Sequence, residues 1–201
     1  MVPAACRPSS DVPARGRGTE LLLLRPGTPT DLQRSLTLFA GTALAHVLAP
    51  PRAHESGDDE DASDGDANDD DANDDDANAE EWAARFAGAH SVPHVPVREL
   101  GRMRNGESDA AMAERAWPAL ERALGRGPRV LAVLSYDVLR VSVACALGLE
   151  FARSIALRVD PGRVVLLRDD PIGWVLRRSN VLFPEESSGT ALPSGHPEAA
   201  P

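Results

Sequence analysis

The sequence predicts an α/β protein built as a three-layer sandwich, in which a central, mostly parallel sheet carries helices on both faces. The runs LLLLR at 21–25 and RVLAVLS at 129–135 are apolar almost throughout, as expected for strands buried on both sides. Segments with helical spacing of apolar residues lie between these runs and directly after the second one. This order of strands and helices is the basis of the fold prediction.

Chain length favours a single folded domain. The protein has 201 residues, enough for one domain with a real core but hardly for two. We predict a disordered leader over 1–18, a single domain over 19–184 and a disordered tail over 185–201. An acidic low-complexity loop over 54–81 is predicted to interrupt the domain.

That acidic segment dominates the charge. The formal net charge is −10, and the 15 acidic residues from Glu55 to Glu81 leave +5 for the rest of the chain. A charge this small does not indicate nucleic-acid binding. The segment repeats DDDAN, and like charges at this density predict an extended, solvated loop. Ala62 would occupy a ligand position of a calcium loop, so a tolerated insertion with at most weak cation association is expected.

The first half of the domain is predicted as strand, helix and acidic loop. After the strand over 21–25, Thr30 or Asp31 can cap a helix that continues to about Ala49. A pair of prolines then ends this helix. Beyond the acidic loop, a short helix is expected to begin at Trp82.

The second half is predicted to alternate more regularly. It begins with an extended approach, continues through two helices around a buried strand, and ends in a meander. Pro118 is expected to kink the first of these helices or to start a second helical piece. The predicted ranges are extended chain 92–98, helix 108–125, strand 129–135, helix 138–149, alternating segment 154–159, turn 160–163, and strands 164–167 and 173–178.

Cysteine usage and hydropathy exclude several classes of protein. Cys6 and Cys145 are too few for a disulfide framework and lack metal-ligand spacing. Cys145 lies in an apolar helical run and is predicted to be a small core residue. The leader has no apolar signal region, and the leucine run is too short to span a bilayer. We therefore expect a cytoplasmic location, no membrane contact, and neither cofactor nor metal.

Five segments have the order and spacing of motifs in a known family: LLLLRPG at 21–27, VRELGRM at 97–103, NGESDAAMAERAWPALERAL at 105–124, RVLAVLSYDVLR at 129–140 and DPGRVVLLRDDPIGWVLRRSN at 160–180. They resemble the histidine phosphatase superfamily, with its phosphoglycerate mutase-like fold. That family begins with a strand running into Arg-His-Gly and carries Leu-x-Glu and Gly-Gly-Glu-Ser segments. Its last core strand ends in Ser-His-Gly. The resemblance covers about 19–50 and 82–183.

The resemblance implies a phosphoryl-transfer site that this chain has altered. In the family, the first histidine is the nucleophile, a second histidine and two arginines hold the phosphate, and an acid protonates the leaving group. Here Pro26 takes the nucleophile position and Tyr136 the position of the second histidine. Asp137 replaces a glycine and brings negative charge toward the phosphate position. Arg25 and Glu99 match the family pattern.

Several roles follow from the resemblance alone. Glu99 and Tyr136 are the candidate catalytic residues of a degenerate site, and Arg25, Gly27 and Arg34 are the candidate phosphate-binding residues. Arg34 has two interpretations: it belongs to the family's Ser-x-Leu-x-Arg element or to an earlier Asp-x-x-Arg-x-Leu-Thr segment. The second interpretation keeps the elements in order and is preferred. It removes Arg34 from the pocket and puts the acidic repeat near the family's second strand.

None of the five histidines is expected to replace the lost nucleophile. His46 is predicted inside a helix and partly exposed, His54 borders the acidic loop, and His196 lies in the tail. His90 and His94 are four residues apart in a segment taken as extended, which would put them on one strand face. A metal pair is conceivable there, but no third ligand is evident.

Other side chains near the strand ends have structural interpretations. Ser135 is expected to cap or satisfy its strand end, while Tyr136 fills the space of the missing histidine. Arg25 can bind an anion together with backbone donors of the turn, or form an ion pair with Glu99 or Asp137.

The functional expectation is a protein that keeps the fold and has lost phosphohistidine catalysis. It would act as a binding or scaffolding module for a small anionic ligand or a protein partner, with no nucleic acid involved. One alternative is an active enzyme that reuses the cleft, as a weak phosphatase or through acid/base chemistry by Glu99, Tyr136 and Asp137. Another is a degraded gene product, because an element of the fold is not evident before Trp82. The sequence leaves the oligomeric state open.

Overall fold

A computed structural model describes residues 18–51, 70–125 and 127–182, with side chains from residue 78 onward in the second range. The predictions for the leader, the tail, His54, His196 and the first part of the acidic loop lie outside these residues. The helices of the described ranges are all too short or too polar to cross a membrane.

A six-stranded sheet forms the centre of the fold, in the order β3-β2-β4-β1-β5-β6. The first four strands of this order are parallel to one another, and the last two are antiparallel to their neighbours. The prediction of a mostly parallel sheet is therefore confirmed. The strands are β1 Glu20–Leu24, β2 His46–Ala49, β3 His94–Pro96, β4 Arg129–Val133, β5 Val164–Asp170 and β6 Gly173–Val181.

Helices cover both faces of this sheet, which confirms the three-layer architecture. One core cluster joins α1 and α2 to one face, and the other joins α3 and α4 to the opposite face. A short 3₁₀ helix, Arg98–Leu100, follows β3. The α-helices are α1 Pro29–Phe39, α2 Asp70–His90, α3 Asp109–Leu124, α4 Tyr136–Leu147 and α5 Phe151–Ser154.

The four consecutive leucines of β1 are explained by its place between β4 and β5. Leu21 and Leu23 face the cluster with α3 and α4, whereas Leu22 and Leu24 face the cluster with α1 and α2. All four side chains are fully buried. Burial on this scale stabilises the fold by about 2 kcal/mol for each leucine. If apolar and polar residues alternated along β1, one face of the strand would contribute no side chains to a core.

Helix α1 is shorter than predicted, and a strand replaces its second half. Thr28 caps the helix and forms a capping box with Asp31, so Asp31 is the third helical residue and not the cap. The helix ends at Phe39, and Gly41 with φ of +89° turns the chain away. His46 to Ala49 then form β2, entirely buried between β3 and β4. This strand is the fold element that was not evident before Trp82.

Helix α2 begins inside the acidic repeat. It starts at Asp70, so the prediction of an extended loop up to residue 81 and a helix start at Trp82 is wrong for 70–81. Ala79, Trp82 and Phe86 recur at helical spacing and are buried in the core, which anchors this part of the chain as a helix. Acidic residues also interact favourably with the positive end of a helix dipole.

The second half of the domain follows the prediction closely up to α4. Helix α3 has Ser108 as its cap and continues through Pro118 as one helix, and β4 and α4 lie within the predicted ranges or close to them. The alternating segment 154–159 is not a strand: Ser154 is the last residue of α5, and the residues after it form a turn and a loop that lead to β5. The meander therefore has two strands.

A buried ion pair joins α3 to α4. Arg140, only 6% exposed, donates from Nη1 to a carboxylate oxygen of Asp109 at 3.0 Å and from Nη2 to the other one. Its Nη1 also reaches the Ser154 hydroxyl at 2.9 Å. The paired geometry holds α4, and therefore the strand-end residue Tyr136, against its neighbours.

Cys145 lies in the core of α4, 4% exposed, as predicted from its apolar surroundings. It is disulfide-bonded, a feature that the sequence analysis did not predict.

An arginine clamp fastens the loop that leads from the 3₁₀ helix to α3. Arg115 of α3 forms a bidentate pair with Glu107, at 2.7 Å through Nε and 2.8 Å through Nη2. Its guanidinium also donates to the backbone carbonyls of Gly101 and Arg102, at 2.8 Å and 2.7 Å. Both side chains of the pair are largely buried, at 14% and 10% exposure, so this contact counts for more than a surface ion pair.

Replacement of Glu107 by Gln should lower the free energy of unfolding at neutral pH by about 2 kcal/mol, since a charge-assisted pair is lost. Hydrogen bonding from Arg115 lowers the pKa of Glu107 below its ordinary value of 4.5. The unfolded chain thus binds this proton more readily than the folded one, and the stabilisation is present above pH 4.5 and is lost as the pH falls through the folded pKa. Denaturant unfolding across this range measures the difference between the proteins.

The matched control is Glu81→Gln, which removes an exposed i,i+4 pair with Arg85 at 2.8 Å. It should change the free energy of unfolding by about 0.5 kcal/mol or less. Equal losses in the two variants, or a Glu107→Gln difference that persists unchanged at acidic pH, would contradict the assignment.

Candidate functional site

The two strand ends singled out in the sequence lie side by side. Strands β1 and β4 are parallel neighbours, with Leu24 opposite Val133, and the Leu134 amide donates to the Leu24 carbonyl at 2.9 Å. Arg25 and Ser135 therefore leave the sheet at the same edge. In α/β folds this carboxyl edge is where ligand sites form.

Arg25 and Tyr136 meet at this edge. The Cζ atom of Arg25 lies 5.0 Å from the centroid of the Tyr136 ring, within cation–π distance. Arg25 also donates from Nη1 to the Val159 carbonyl at 2.8 Å, and the Tyr136 hydroxyl donates to the Leu157 carbonyl at 2.7 Å. Both side chains are thus tied to the loop before β5, and the expected ion pair of Arg25 with Glu99 or Asp137 is wrong.

The turn after β1 packs tightly against the same loop. Pro26 is buried. The Gly162 amide donates to the Arg25 carbonyl at 2.9 Å, and the Arg25 amide donates to the Arg163 carbonyl at 3.0 Å. A Cβ on Gly27 would lie 2.8 Å from the Gly162 nitrogen and 2.9 Å from a carboxylate oxygen of Asp31. Gly27 is therefore required for the close approach of two backbone segments.

The start of α4 carries two further polar side chains. Ser135 precedes the helix and is 5% exposed, but its hydroxyl makes no capping bond and no hydrogen bond within the described part of the chain. The expectation that this side chain caps its strand end is therefore wrong. Asp137 is about half exposed, with a carboxylate oxygen 3.9 Å from Nη2 of Arg140.

Glu99 and Arg34 have other surroundings. Glu99 lies in the 3₁₀ helix, and its carboxylate pairs with Nη2 of Arg122 on α3 at 3.2 Å. Both partners of this pair are about half exposed, at 45% for Glu99 and 58% for Arg122. Arg34 lies on the exposed face of α1. Of the predicted site residues, the structure thus joins Arg25, Gly27 and Tyr136 around one loop, while Glu99 contacts a different helix.

The histidines differ from their predicted settings. His46 begins β2 and is 4% exposed, so its assignment to a partly exposed helical position is wrong. His90 ends α2 and stacks on Phe86 with ring centroids 6.2 Å apart, so it does not share a strand with His94. Burial lowers the pKa of His90. Within 18–51, 70–125 and 127–182, no three His, Cys, Asp or Glu side chains form a group that could hold a metal ion.

Sequence reasoning missed the contribution of residues 157–162 to this edge. Their carbonyl and amide groups bond Arg25 and Tyr136, yet backbone groups leave no motif in a sequence. The proline and glycine of the Asp160–Arg163 turn were the available signal, since they mark a tight turn.

The sequence profile of the histidine phosphatase superfamily, branch 1, matches residues 65–182. The chain therefore belongs to this superfamily. The matched segment contains β4 and the start of α4 with Tyr136, but it begins after β1 and its Pro26.

Solved structures support the same fold. The α-ribazole phosphatase of Shigella flexneri aligns with a TM-score of 0.62 at 15% identity, over 82% of this chain and 98% of that protein. A phosphoglycerate mutase of Plasmodium falciparum aligns with a TM-score of 0.52 at 16% identity, over 86% and 98%. A mutant phosphoserine phosphatase of Entamoeba histolytica, in complex with phosphoserine, aligns with a TM-score of 0.58 at 13% identity, over 82% and 98%.

These likenesses confirm the phosphoglycerate mutase-like fold and, at such low identity, carry no substrate with them. A search of curated protein sequences found no match to this chain.

Gly27→Ala should lower the free energy of unfolding by about 2 kcal/mol, because the added methyl group meets backbone atoms that cannot rotate away. The change should be measured by denaturant unfolding. Gly88→Ala is the matched control: Gly88 lies within α2 and has open space around its Cβ position. That variant should gain about 0.5–1 kcal/mol, since alanine favours the helix. The two variants are therefore expected to change the free energy of unfolding in opposite directions. A Gly27→Ala variant as stable as the natural protein would contradict the close approach of the two backbone segments.

Proposed function

We propose that this protein is a member of the histidine phosphatase superfamily that has lost phosphohistidine catalysis and acts as a binding or scaffolding module. The observation that carries the proposal is the pair of strand ends, where Pro26 follows β1 and Tyr136 follows the neighbouring β4. In this proposal, these two residues occupy the positions of the family's two pocket histidines.

The chemical reason concerns the nucleophile. Phosphohistidine formation requires a ring nitrogen with a free lone pair to attack phosphorus. Proline carries only carbon in its side chain, and its nitrogen belongs to an amide bond, so Pro26 cannot accept a phosphoryl group. The side chain of Tyr136 has a phenol oxygen and no ring nitrogen, so it cannot form phosphohistidine either.

The electrostatics support the same conclusion. A phosphoryl-transfer site needs positive groups and donors directed at the phosphate oxygens. Here the Arg25 guanidinium lies over the ring of Tyr136 and donates to the Val159 carbonyl at 2.8 Å. Asp137 at the start of α4 adds negative charge nearby. Any anion that binds here competes with contacts the protein already makes within itself.

A structural neighbour supports a ligand-binding role. The Entamoeba histolytica phosphoserine phosphatase in complex with phosphoserine is a histidine-to-alanine mutant. By analogy, we propose that this chain keeps a ligand-binding role. We propose a small anionic ligand or a protein partner as the binding target.

The alternative is an active enzyme that uses Glu99, Tyr136 and Asp137 as acid/base groups. It requires these groups to reach one substrate. The Glu99 carboxylate pairs with Arg122, and the Tyr136 hydroxyl donates to the Leu157 carbonyl at 2.7 Å. Both contacts would have to break before either group could act, so the contacts favour the non-catalytic proposal.

An aryl phosphate assay tests the proposal. The purified natural protein should hydrolyse para-nitrophenyl phosphate no faster than buffer does, because it lacks a nucleophile. It should also form no acid-labile phosphoprotein when incubated with the substrate. The absorbance of released nitrophenolate measures the first outcome, and phosphate analysis of the quenched protein measures the second.

Two sets of variants make the assay decisive. Turnover by the natural protein that disappears in Glu99→Ala but persists in Glu114→Ala would overturn the proposal in favour of the acid/base alternative. Glu114 is the matched control, since it is an exposed glutamate on α3. Pro26→His combined with Tyr136→His places a histidine at both strand ends. Phosphoprotein formed by this variant and not by the natural protein would support these two positions as those of the family's pocket histidines.

A further inference from the structure

The loop between the 3₁₀ helix and α3 carries a pair of residues that the proposed function does not use, Asn105 and Gly106. Both residues are exposed. The Glu107 amide donates to the Arg104 carbonyl at 2.9 Å, so the pair takes the two central positions of a β-turn. Gly106 has φ of +74°, which the second central position of a type II turn requires. The pair therefore forms the tip of a tight turn in solvent.

The amide groups of this pair make no contact that would have to break before they react. Within the part of the chain that the structure describes, neither the Asn105 side chain nor the Gly106 backbone amide has a hydrogen-bond partner. A Cβ on Gly106 would meet no atom within 4 Å, so there is open space around the turn. Glycine also has no side chain that could shield its own nitrogen.

The position of the two groups along the chain makes them a reacting pair. The Gly106 nitrogen and Cγ of Asn105 are separated only by the main-chain carbonyl carbon, Cα and Cβ of Asn105. A bond between them closes a five-membered ring. Attack within one molecule needs no encounter between two reactants, which favours the reaction strongly.

We propose that Asn105 is a site of spontaneous deamidation, which converts it to aspartate and isoaspartate through a succinimide ring with Gly106. The inference requires only the exposed turn and its unbonded amide groups. It does not depend on the proposed loss of catalysis.

The reaction balances with water as the co-reactant. The Gly106 nitrogen loses its proton and forms a bond to Cγ of Asn105, while the bond from Cγ to Nδ2 breaks and ammonia leaves with that proton. Water then opens the ring. Cleavage at Cγ gives aspartate, whereas cleavage at the main-chain carbonyl carbon gives isoaspartate, in which the backbone continues through Cγ. No electrons are transferred, and a carboxyl group replaces the amide.

Isoaspartate would loosen the loop that the Arg115–Glu107 pair fastens. The turn is closed from the Glu107 amide to the Arg104 carbonyl at 2.9 Å and from the Arg104 amide to Oε2 of Glu107 at 3.0 Å. The added main-chain carbon lengthens the turn between these two residues, so both bonds cannot keep this geometry. The new carboxylate also adds negative charge close to that of Glu107.

Asn180 is the matched control within the same chain. Its Oδ1 accepts from the Asp160 amide at 2.8 Å, and its Nδ2 donates to a carboxylate oxygen of Asp160 at 3.0 Å. The next residue is Val181, whose branched side chain crowds the attacking nitrogen. Both features oppose ring closure, so Asn180 should keep its amide under conditions that convert Asn105.

Ageing of the purified full chain tests the assignment. The protein is kept in mildly alkaline buffer at physiological temperature for several weeks and digested with a glutamate-specific protease. Digestion in heavy-oxygen water marks any deamidation that occurs after ageing. Cleavage after glutamate releases Asn105 and Asn180 in separate peptides. The Asn105 peptide should change from the amide mass to the acid mass and accept a methyl group from isoaspartyl methyltransferase, whereas the Asn180 peptide should do neither.

Hydrogen exchange tests the consequence for the loop. The Glu107 amide of the aged natural protein should exchange faster than that of fresh protein, in proportion to the converted fraction. Asn105→Gln keeps an amide but would have to close a larger ring. Aged in parallel, this variant should keep the exchange rate of its fresh form.

Four results would overturn the proposal. An Asn105 peptide that keeps its amide mass would show that the folded turn does not react. Conversion of Asn180 at an equal or higher rate would show that the turn has no special reactivity. Acid mass without isoaspartate would contradict the succinimide ring. An unchanged exchange rate at Glu107 despite conversion would contradict the loosening of the loop.

Discussion

The parallel pairing of β1 with β4 is the constraint on which the rest of the structure depends. Both strands are buried on both faces, so each contributes side chains to two separate cores. Helices must then cover both faces, because neither layer of leucine and valine can be left in water. The same pairing brings Arg25 and Ser135 to one edge of the sheet, where the functional site of this fold class is built.

At that edge, two polar side chains bond to the protein's own backbone. Arg25 donates a hydrogen bond to the Val159 carbonyl, and Tyr136 donates one to the Leu157 carbonyl. Gly27 allows two backbone segments to come into contact. A family member that transfers phosphate needs unpaired donors facing an open site. Here, the contacts that would compete with an anion also hold the strand ends against the loop before β5, and they support the proposed binding role.

The fold was predictable where local pattern and tertiary environment agree. The runs that became β1 and β4, and the capped helix α3, carry their own signals of hydrophobicity and capping. Strand β2 was missed because its four residues continue the helical spacing of apolar residues that precedes them, so the sequence predicted one long helix. Their pairing with β3 and β4 makes them a strand. The start of α2 was missed because its dense acidic residues predicted a solvated loop. Ala79 and Phe86, which have helical spacing and are buried, were given less weight than this charge.

By itself the sequence determined the fold class, the family resemblance and the absence of histidine beside both strand ends, since each depends on which residues are present. The tertiary structure decided what the surviving side chains do. It paired Glu99 with Arg122, placed Arg25 over Tyr136 and bonded Cys145. Such partners lie tens of residues apart in the chain, and their contacts depend on distances that only the packed sheet and helices establish.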